Sequence, residues 1–285
     1  HLKALPLAVD RALNEAGLTV QDIDWFAATN RPGLIGALLV GVSYIKGLAF
    51  ALQKPFALLD HLEAHVFSPL LGSLEGAPVP AFPWIALVVS GGHSELFLVE
   101  GPGHMKWLGG TLDDAAGEAF DKIGKHLGFP YPAGPAIDQY VRANAAPADR
   151  SHFAFPVAKT EGFHFSFSGL KTAVSLEAKK FQGELQEADK LKLVASAQES
   201  ILAALVSKVR SAQTSLNVSQ VVVTGGVACN SRLRELLHDA YFPRPKHCTD
   251  NAAMVALLSA LKLQSNLLVA STFHETAEPC IQRNY

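Results

Sequence analysis

Leu2, Leu5, Val9, Ala12 and Leu13 recur at helical spacing, and Gly17 follows as a stop, so the chain opens on a predicted helix. Residues 24–28 form a short apolar run ending in Thr29-Asn30-Arg31-Pro32-Gly33, the pattern of a strand and then a turn. Residues 34–52 read as a second helix, interrupted by Gly36, Gly41 and Gly47 at a spacing that usually permits close backbone packing. A strand at 56–59 leads to Asp60, placed to cap a further helix. The Gly/Pro-rich stretch 72–83 marks a boundary between lobes. Beyond it, strands are predicted at 84–89 and 95–99 around the turn Ser90-Gly91-Gly92-His93. Helices follow at 113–127, 135–145, 169–181 and 187–213, then a buried-type strand at 221–224 broken by Gly225-Gly226. Helices at 230–240 and 251–264 complete the pattern, and the tail from Ser265 has none. Alternating strands and helices predict an α/β fold with mainly parallel sheets.

Composition sharpens this picture. The 285 residues are 49% hydrophobic and 18% charged, which excludes a disordered chain and is length enough for one large or two ordinary domains. A formal charge of -2 offers no global basic surface for nucleic acid. Cys229, Cys248 and Cys280 are too sparse and unpatterned for a disulfide framework and read as reduced thiols of a cytosolic-type compartment. The longest uncharged runs, 32–45 and 76–92, do not predict a membrane helix, one being too short and the other carrying Pro78, Pro80 and Pro83.

Several positions can carry chemistry. His61 and His65 sit four apart on the helix that Asp60 opens, so both imidazoles face one side and can chelate a divalent ion. Two surface or core histidines would share that spacing. Glu63 points to the opposite side and cannot serve as the base of a zinc-peptidase pair, and His274-Glu275 lacks a second histidine, which leaves a metallopeptidase reading weak. Ser90-Gly91-Gly92 and Thr224-Gly225-Gly226 each follow an apolar strand, where paired glycines let backbone N–H groups approach an anion. No Walker A sequence is present, and Gly101-Pro102-Gly103 has Lys106 where a dinucleotide fingerprint needs its third glycine. Asp114, Glu118 and Asp121 make an acidic helical stripe, either a solvated face or, at Asp121, an acceptor for ribose hydroxyls.

Taken in order, RPGLIGALLVG, HLEAH, LVVSGGH, DDAAGEAFDK, YPAGP, FSFSGLK, VVVTGGVACN and CTDNAAM resemble the TsaD/Kae/Gcp family over about residues 2–260. The resemblance implies a two-lobed, actin-like ATPase (ribonuclease H-like) fold with a ligand cleft. Residues 1–78 and 251–285 would form one lobe and 79–250 the other. It implies transfer of a threonylcarbamoyl group from threonylcarbamoyl-AMP to the N6 amine of the adenosine just 3′ of the anticodon, in tRNAs that read ANN codons. His61, His65 and Asp250 match the ligands of one divalent metal ion, iron or zinc. Asp250 could instead cap the helix that follows it. Val88, Val89, Ser90, Gly91, Gly92, Asp121, Gly134, Asp138 and Asn230 match positions that hold the nucleotide. No side-chain nucleophile is implied. The expected partners are tRNA, a paralogous subunit and an ATPase, and the expected location is the cytoplasm or a mitochondrion. Arg232, Arg234, Arg244 and Lys246 are candidates for the basic patch that tRNA would meet, or simply solvated surface charges. The chain departs from the family at Arg31, at Ala133 and in the tail 273–285, and its opening strand with an acidic loop is expected to precede His1. A non-catalytic actin-fold scaffold that binds nucleotide is the alternative.

Overall fold

In the computed structural model, which describes residues 2–181 and 185–279, the chain divides into a first unit that runs to Phe67 and resumes at Asn251, and a second unit, Ser68–Asp250. Cys280 lies outside the described residues. In chain order the first stretch holds α1 (Ala4–Ala16), β1 (Phe26–Arg31), α2 (Ile35–Leu52), β2 (Phe56–Asp60) and α3 (His61–Phe67). The second unit holds β3 (Trp84–Val89), β4 (Ser94–Gly101), β5 (His104–Gly110), α4 (Ala116–His126), α5 (Ala133–Asn144) and α6 (Pro147–Arg150). It continues with α7 (Ser168–Ala178), α8 (Glu187–Leu216), β6 (Gln220–Thr224), α9 (Ser231–Leu236) and α10 (Pro245–Cys248), before α11 (Ala252–Gln264) returns to the first unit.

In the first unit Gly17 ends α1 in the left-handed conformation, φ 67°, which costs glycine little. β1 and β2 pair in parallel from Phe26↔Phe56 to Arg31↔Asp60, with α2 as the crossover. The strand therefore runs through Thr29, Asn30 and Arg31, where the sequence predicts a turn. Pairing with β2 gives their backbone groups partners that a turn would not. Arg31 pairs with Asp60 and Glu278, so its charge is balanced inside the unit.

The expected close packing at the glycines of α2 does not occur among the described residues. A Cβ at Gly36, Gly41 or Gly47 would meet no atom within 4 Å. By length and composition α2 would suffice to cross a membrane, yet it covers the strands through Leu38, Val42 and Ala49. The stretch after α11 is pinned back onto this unit. Ser271 N–H donates to the Phe56 carbonyl at 2.8 Å, and Lys46 reaches the Phe273 carbonyl at 2.9 Å.

The second unit's sheet has the order β5-β4-β3-β6 and is mixed, not mainly parallel. Four residues join β3 to β4, too few for a crossover, so β4 must run antiparallel, and β5 follows it likewise. β5 is absent from the sequence prediction because Lys106 and Gly109 interrupt a short apolar run. β6 arrives after the helices and pairs parallel with β3, matching Val88 with Thr224. Ile85, Leu87 and Val89 bury one face of β3 in a core shared with Phe120 and Ile123 of α4 and with Leu202 and Leu205 of α8. α9 stops at Leu236, short of the predicted 240, because Tyr241 leaves to bridge Val222 beside β6.

Two contacts are stringent enough to test. Gly225, at φ 94°, lies where an added Cβ would sit 2.3 Å from the Val89 carbonyl oxygen. Gly225→Ala should therefore cost about 1–3 kcal/mol in urea denaturation. In the first unit, Lys262 of α11 donates to Glu63 of α3 at 2.6 Å, with side-chain exposures of 17% and 7%. Lys262→Met should destabilise the protein in urea denaturation by about 1–3 kcal/mol, by removing the cation that pairs with a buried carboxylate.

Candidate metal centre and nucleotide site

Asp60 closes β2 and turns the chain into α3 by accepting the N–H groups of Leu62 (2.8 Å) and Glu63 (3.1 Å). This is the cap that the sequence predicts. A helix started there places His61 and His65 one turn apart, ring centroids 4.6 Å from each other, with His65 buried. Glu63 faces α11, where it pairs with Lys262, so it is not beside the imidazoles as a peptidase base would be.

Asp250 is bonded to Asn251, and it is Asn251 that caps α11, accepting the Met254 N–H at 2.9 Å. The capping role open to Asp250 is thus filled by its neighbour. Ligand-capable atoms of His61, His65 and Asp250 all lie within 4.8 Å of one another. Two neutral imidazoles and one carboxylate are a donor set for a divalent transition metal, with coordination positions left for other oxygens. The residues fit such an ion.

The second unit brings both glycine turns to the carboxyl ends of adjacent parallel strands, the position where open α/β sheets bind ligands. Val88 and Val89 are wholly buried in β3 and fix this end of the strand. The Ser90 hydroxyl accepts the His93 N–H at 3.1 Å and the Gly92 N–H at 3.4 Å, while the Ser90 carbonyl accepts the Gly117 N–H at 3.1 Å. Gly117 is required there, since a Cβ would fall 2.5 Å from that carbonyl oxygen. The start of α4 is thereby held against Ser90-Gly91.

A cavity of about 640 Å³ opens beside this junction, lined by Gly91, Glu118, Asp121, Lys122, Lys125, Tyr131 and Ala133 among others. The acidic stripe of the sequence divides in two. Asp114 precedes α4 and, with Glu118, holds Lys122, raising the lysine's pKa through those hydrogen bonds. Asp121 instead faces the cavity and accepts the Ala133 N–H at 2.7 Å. Ala133 stands at the first turn of α5, against Gly124, where a second Cβ would come within 2.2 Å of its own, so the two positions share one methyl's space. Gly134 follows it, and a Cβ there would make only ordinary contact with Phe120 at 3.8 Å.

Asp138 and Asn230 form a separate cluster. Both Asp138 oxygens are engaged by Ser231, one by its N–H at 3.0 Å and one by its hydroxyl at 2.8 Å. Asn230 caps α9 by accepting the Leu233 N–H at 3.0 Å and donates to Gln198 at 3.1 Å. Ser231 and Gln198 were not singled out in the sequence, although a buried glutamine inside the apolar run of α8 is a usable signal. Asp113 joins two of the motifs. Burial would raise its pKa, but hydrogen bonds from Ser166, Phe167 and Ser168 outweigh that and hold it below the ordinary carboxylate range.

The basic patch proves partly internal. Arg232 pairs with Glu199 and Glu235, and Arg234 donates to the Ala228 and Pro243 carbonyls and lies over the Phe242 ring. Those two arginines are committed to the protein itself, while Arg244 and Lys246 are at the surface.

Known proteins resemble this chain in sequence and in fold. The family model TsaD, described as tRNA N6-adenosine threonylcarbamoyltransferase, matches residues 1–257. A relative of that name from Caldicellulosiruptor bescii is 40% identical over 292 aligned positions, spanning 99% of this chain and 83% of the relative. Another from Syntrophus aciditrophicus is 45% identical over 266, spanning 90% and 76%. Among solved structures, T. kodakarensis HypF superposes with a TM-score of 0.63 at 15% identity, over 87% of this chain and 42% of that one, a likeness of fold alone. With a family model matched over residues 1–257 and relatives 40–45% identical across 90% or more of this chain, the chain belongs to the TsaD family of tRNA N6-adenosine threonylcarbamoyltransferases.

Proposed function

We propose that this protein transfers the threonylcarbamoyl group of threonylcarbamoyl-AMP to N6 of the adenosine 3′ of the anticodon in tRNAs that read ANN codons. The observation that carries this reading is the three-donor cluster of His61, His65 and Asp250 in a chain of this family. A scaffold that only binds nucleotide would have no need to gather those donors.

In the reaction the adenosine amine attacks the carbamoyl carbonyl carbon, a C–N bond forms, and the C–O bond to AMP breaks. The amine is itself the nucleophile, so the protein has only to position two substrates and stabilise charge on the carbonyl and phosphate oxygens. Iron or zinc held by the two imidazoles and the carboxylate would supply Lewis acidity toward those oxygens. In the turn that follows Val88 and Val89 the Ser90 N–H is held by the His93 carbonyl and the Gly92 N–H by the Ser90 hydroxyl, so the Gly91 N–H is the one assigned to the anionic part of the adenylate. Asp121 is assigned to a ribose hydroxyl, supported by its place in the cavity wall. Gly134, Asp138 and Asn230 are assigned to the remainder of the nucleoside, with Asp138 and Asn230 held rigid by Ser231 and Gln198.

The paralogous subunit is assigned to the outer face of α2. Gly36 and Gly47 fall on the side of the helix away from Leu38, Val42 and Ala49, Phe50 borders that side at 68% exposure, and the open glycines leave a surface smooth enough for another helix to approach. The ATPase partner and a cytoplasmic setting follow from the same reading of the family.

Metal analysis of the purified protein should find one divalent ion per chain, lost in His61→Ala, His65→Ala and Asp250→Ala. Modification of substrate tRNA should fall by about 100-fold or more in each. Full activity in metal-free variants would remove the mechanism. Asp121→Asn keeps the side chain's shape but not its charge, and titration calorimetry with AMP should show affinity weakened by about tenfold.

A further inference from the structure

β1 and β2 do not pair evenly to their ends. Thr29 lies opposite Leu59, but the next pair is Arg31↔Asp60, so Asn30 is the extra residue of a bulge. Without the bulge, Asn30 would stand opposite Asp60. With it an arginine stands there, and Arg31 Nε lies 3.5 Å from Asp60 Oδ2. The two oxygens of Asp60 thus have separate tasks, since Oδ1 accepts the Leu62 and Glu63 N–H groups that start α3. The Asp60 side chain is only 5% exposed, and the cation at its second oxygen holds it in the orientation that caps the helix.

Asn30 is also where the stretch after α11 is fastened. Its carbonyl accepts the Glu278 N–H at 2.8 Å, and its side-chain amide donates to the Thr276 carbonyl at 3.4 Å. Ala277, between those two, is buried with Leu38 and Val42 of α2. The Glu278 backbone is thereby fixed beside the bulge, and its carboxylate meets Arg31 Nη1 at 3.3 Å. Arg31 is half-buried and gripped from two sides, by one carboxylate of β2 and one from the far end of the chain.

We propose that Arg31 is a positioning residue for the metal centre, with Glu278 holding it in place. Glu278 fixes the guanidinium, the guanidinium fixes Asp60 Oδ2, and Asp60 Oδ1 fixes the first amides of α3. His61 and His65 are the first and fifth residues of that helix, which at seven residues cannot set its own start. Neither Arg31 nor Glu278 is a ligand, and both act through the cap. Partners that orient a ligand set from outside it contribute about tenfold or more to metal affinity. This inference rests on the metal reading proposed above.

The test titrates the full, metal-free chain with Co2+, whose visible absorption reports ligand geometry, and measures urea unfolding separately. Arg31→Met should weaken Co2+ binding by about tenfold and alter the visible band. Glu278→Gln keeps the backbone bond to Asn30 and should weaken binding by about threefold. The double variant should bind no more weakly than Arg31→Met alone, because Glu278 acts only through the arginine. Unchanged affinity and spectrum in folded Arg31→Met would overturn the proposal even if its stability falls, and so would additive losses in the double variant. Should Arg31→Met fail to fold, Glu278→Gln decides the matter, and unchanged Co2+ affinity there counts against the proposal. An unaltered chain that takes up no Co2+ would refute the metal reading itself, and this role with it.

Discussion

The parallel pairing of β3 with β6 governs the second unit. Because Val88 lies opposite Thr224, the two strands end at the same level and their glycine turns emerge side by side. Gly225 then lies against the Val89 carbonyl so closely that a methyl group has no room, and Gly117 lies equally close to the Ser90 carbonyl. A slip of one residue in that register would turn every inward side chain of β6 outward and separate the turns. The wholly buried face of β3 opposes such a slip, since α4 and α8 cover it with large apolar side chains. Packing energy spread over the core is thus what sets the spacing of a few backbone amides at its edge.

In the first unit a comparable role falls to α3. It is only seven residues long, too short to hold itself together, and it depends on what surrounds it. Asp60 satisfies its first amides, and Lys262 of α11 neutralises the carboxylate buried on the face away from the imidazoles. The same α11 is capped by Asn251, so the element that steadies α3 also fixes the residue bonded to Asp250. One packed helix pair accounts for both halves of a three-donor cluster drawn from distant parts of the chain.

Much of this was legible in the residues. The cap at Asp60, the i, i+4 histidines, the strands carrying Ser90-Gly91-Gly92 and Thr224-Gly225-Gly226, and the long helix before β6 all follow from local rules of periodicity and capping. The family resemblance rests on those same segments. The departures at Arg31 and Ala133 are absorbed by neighbours on other elements, Glu278 in one case and Gly124 of α4 in the other. Where local reading failed, a distant partner was responsible. Thr29–Arg31 became strand because β2 lay alongside, and α9 ended early because Tyr241 found Val222.

What the amino-acid order determined alone was which residues could act: imidazoles at helical spacing, glycines after buried strands, an aspartate before a helix. Tertiary structure decided which of them meet. It assigned the cap of α11 to Asn251 and left Asp250 beside the histidines, sent Asp121 to the cavity but Asp114 and Glu118 to Lys122, and turned Arg232 and Arg234 inward. The physical reason is that spacing along a helix or strand is set by covalent geometry, whereas convergence across nearly two hundred residues is set by packing, which no local pattern encodes.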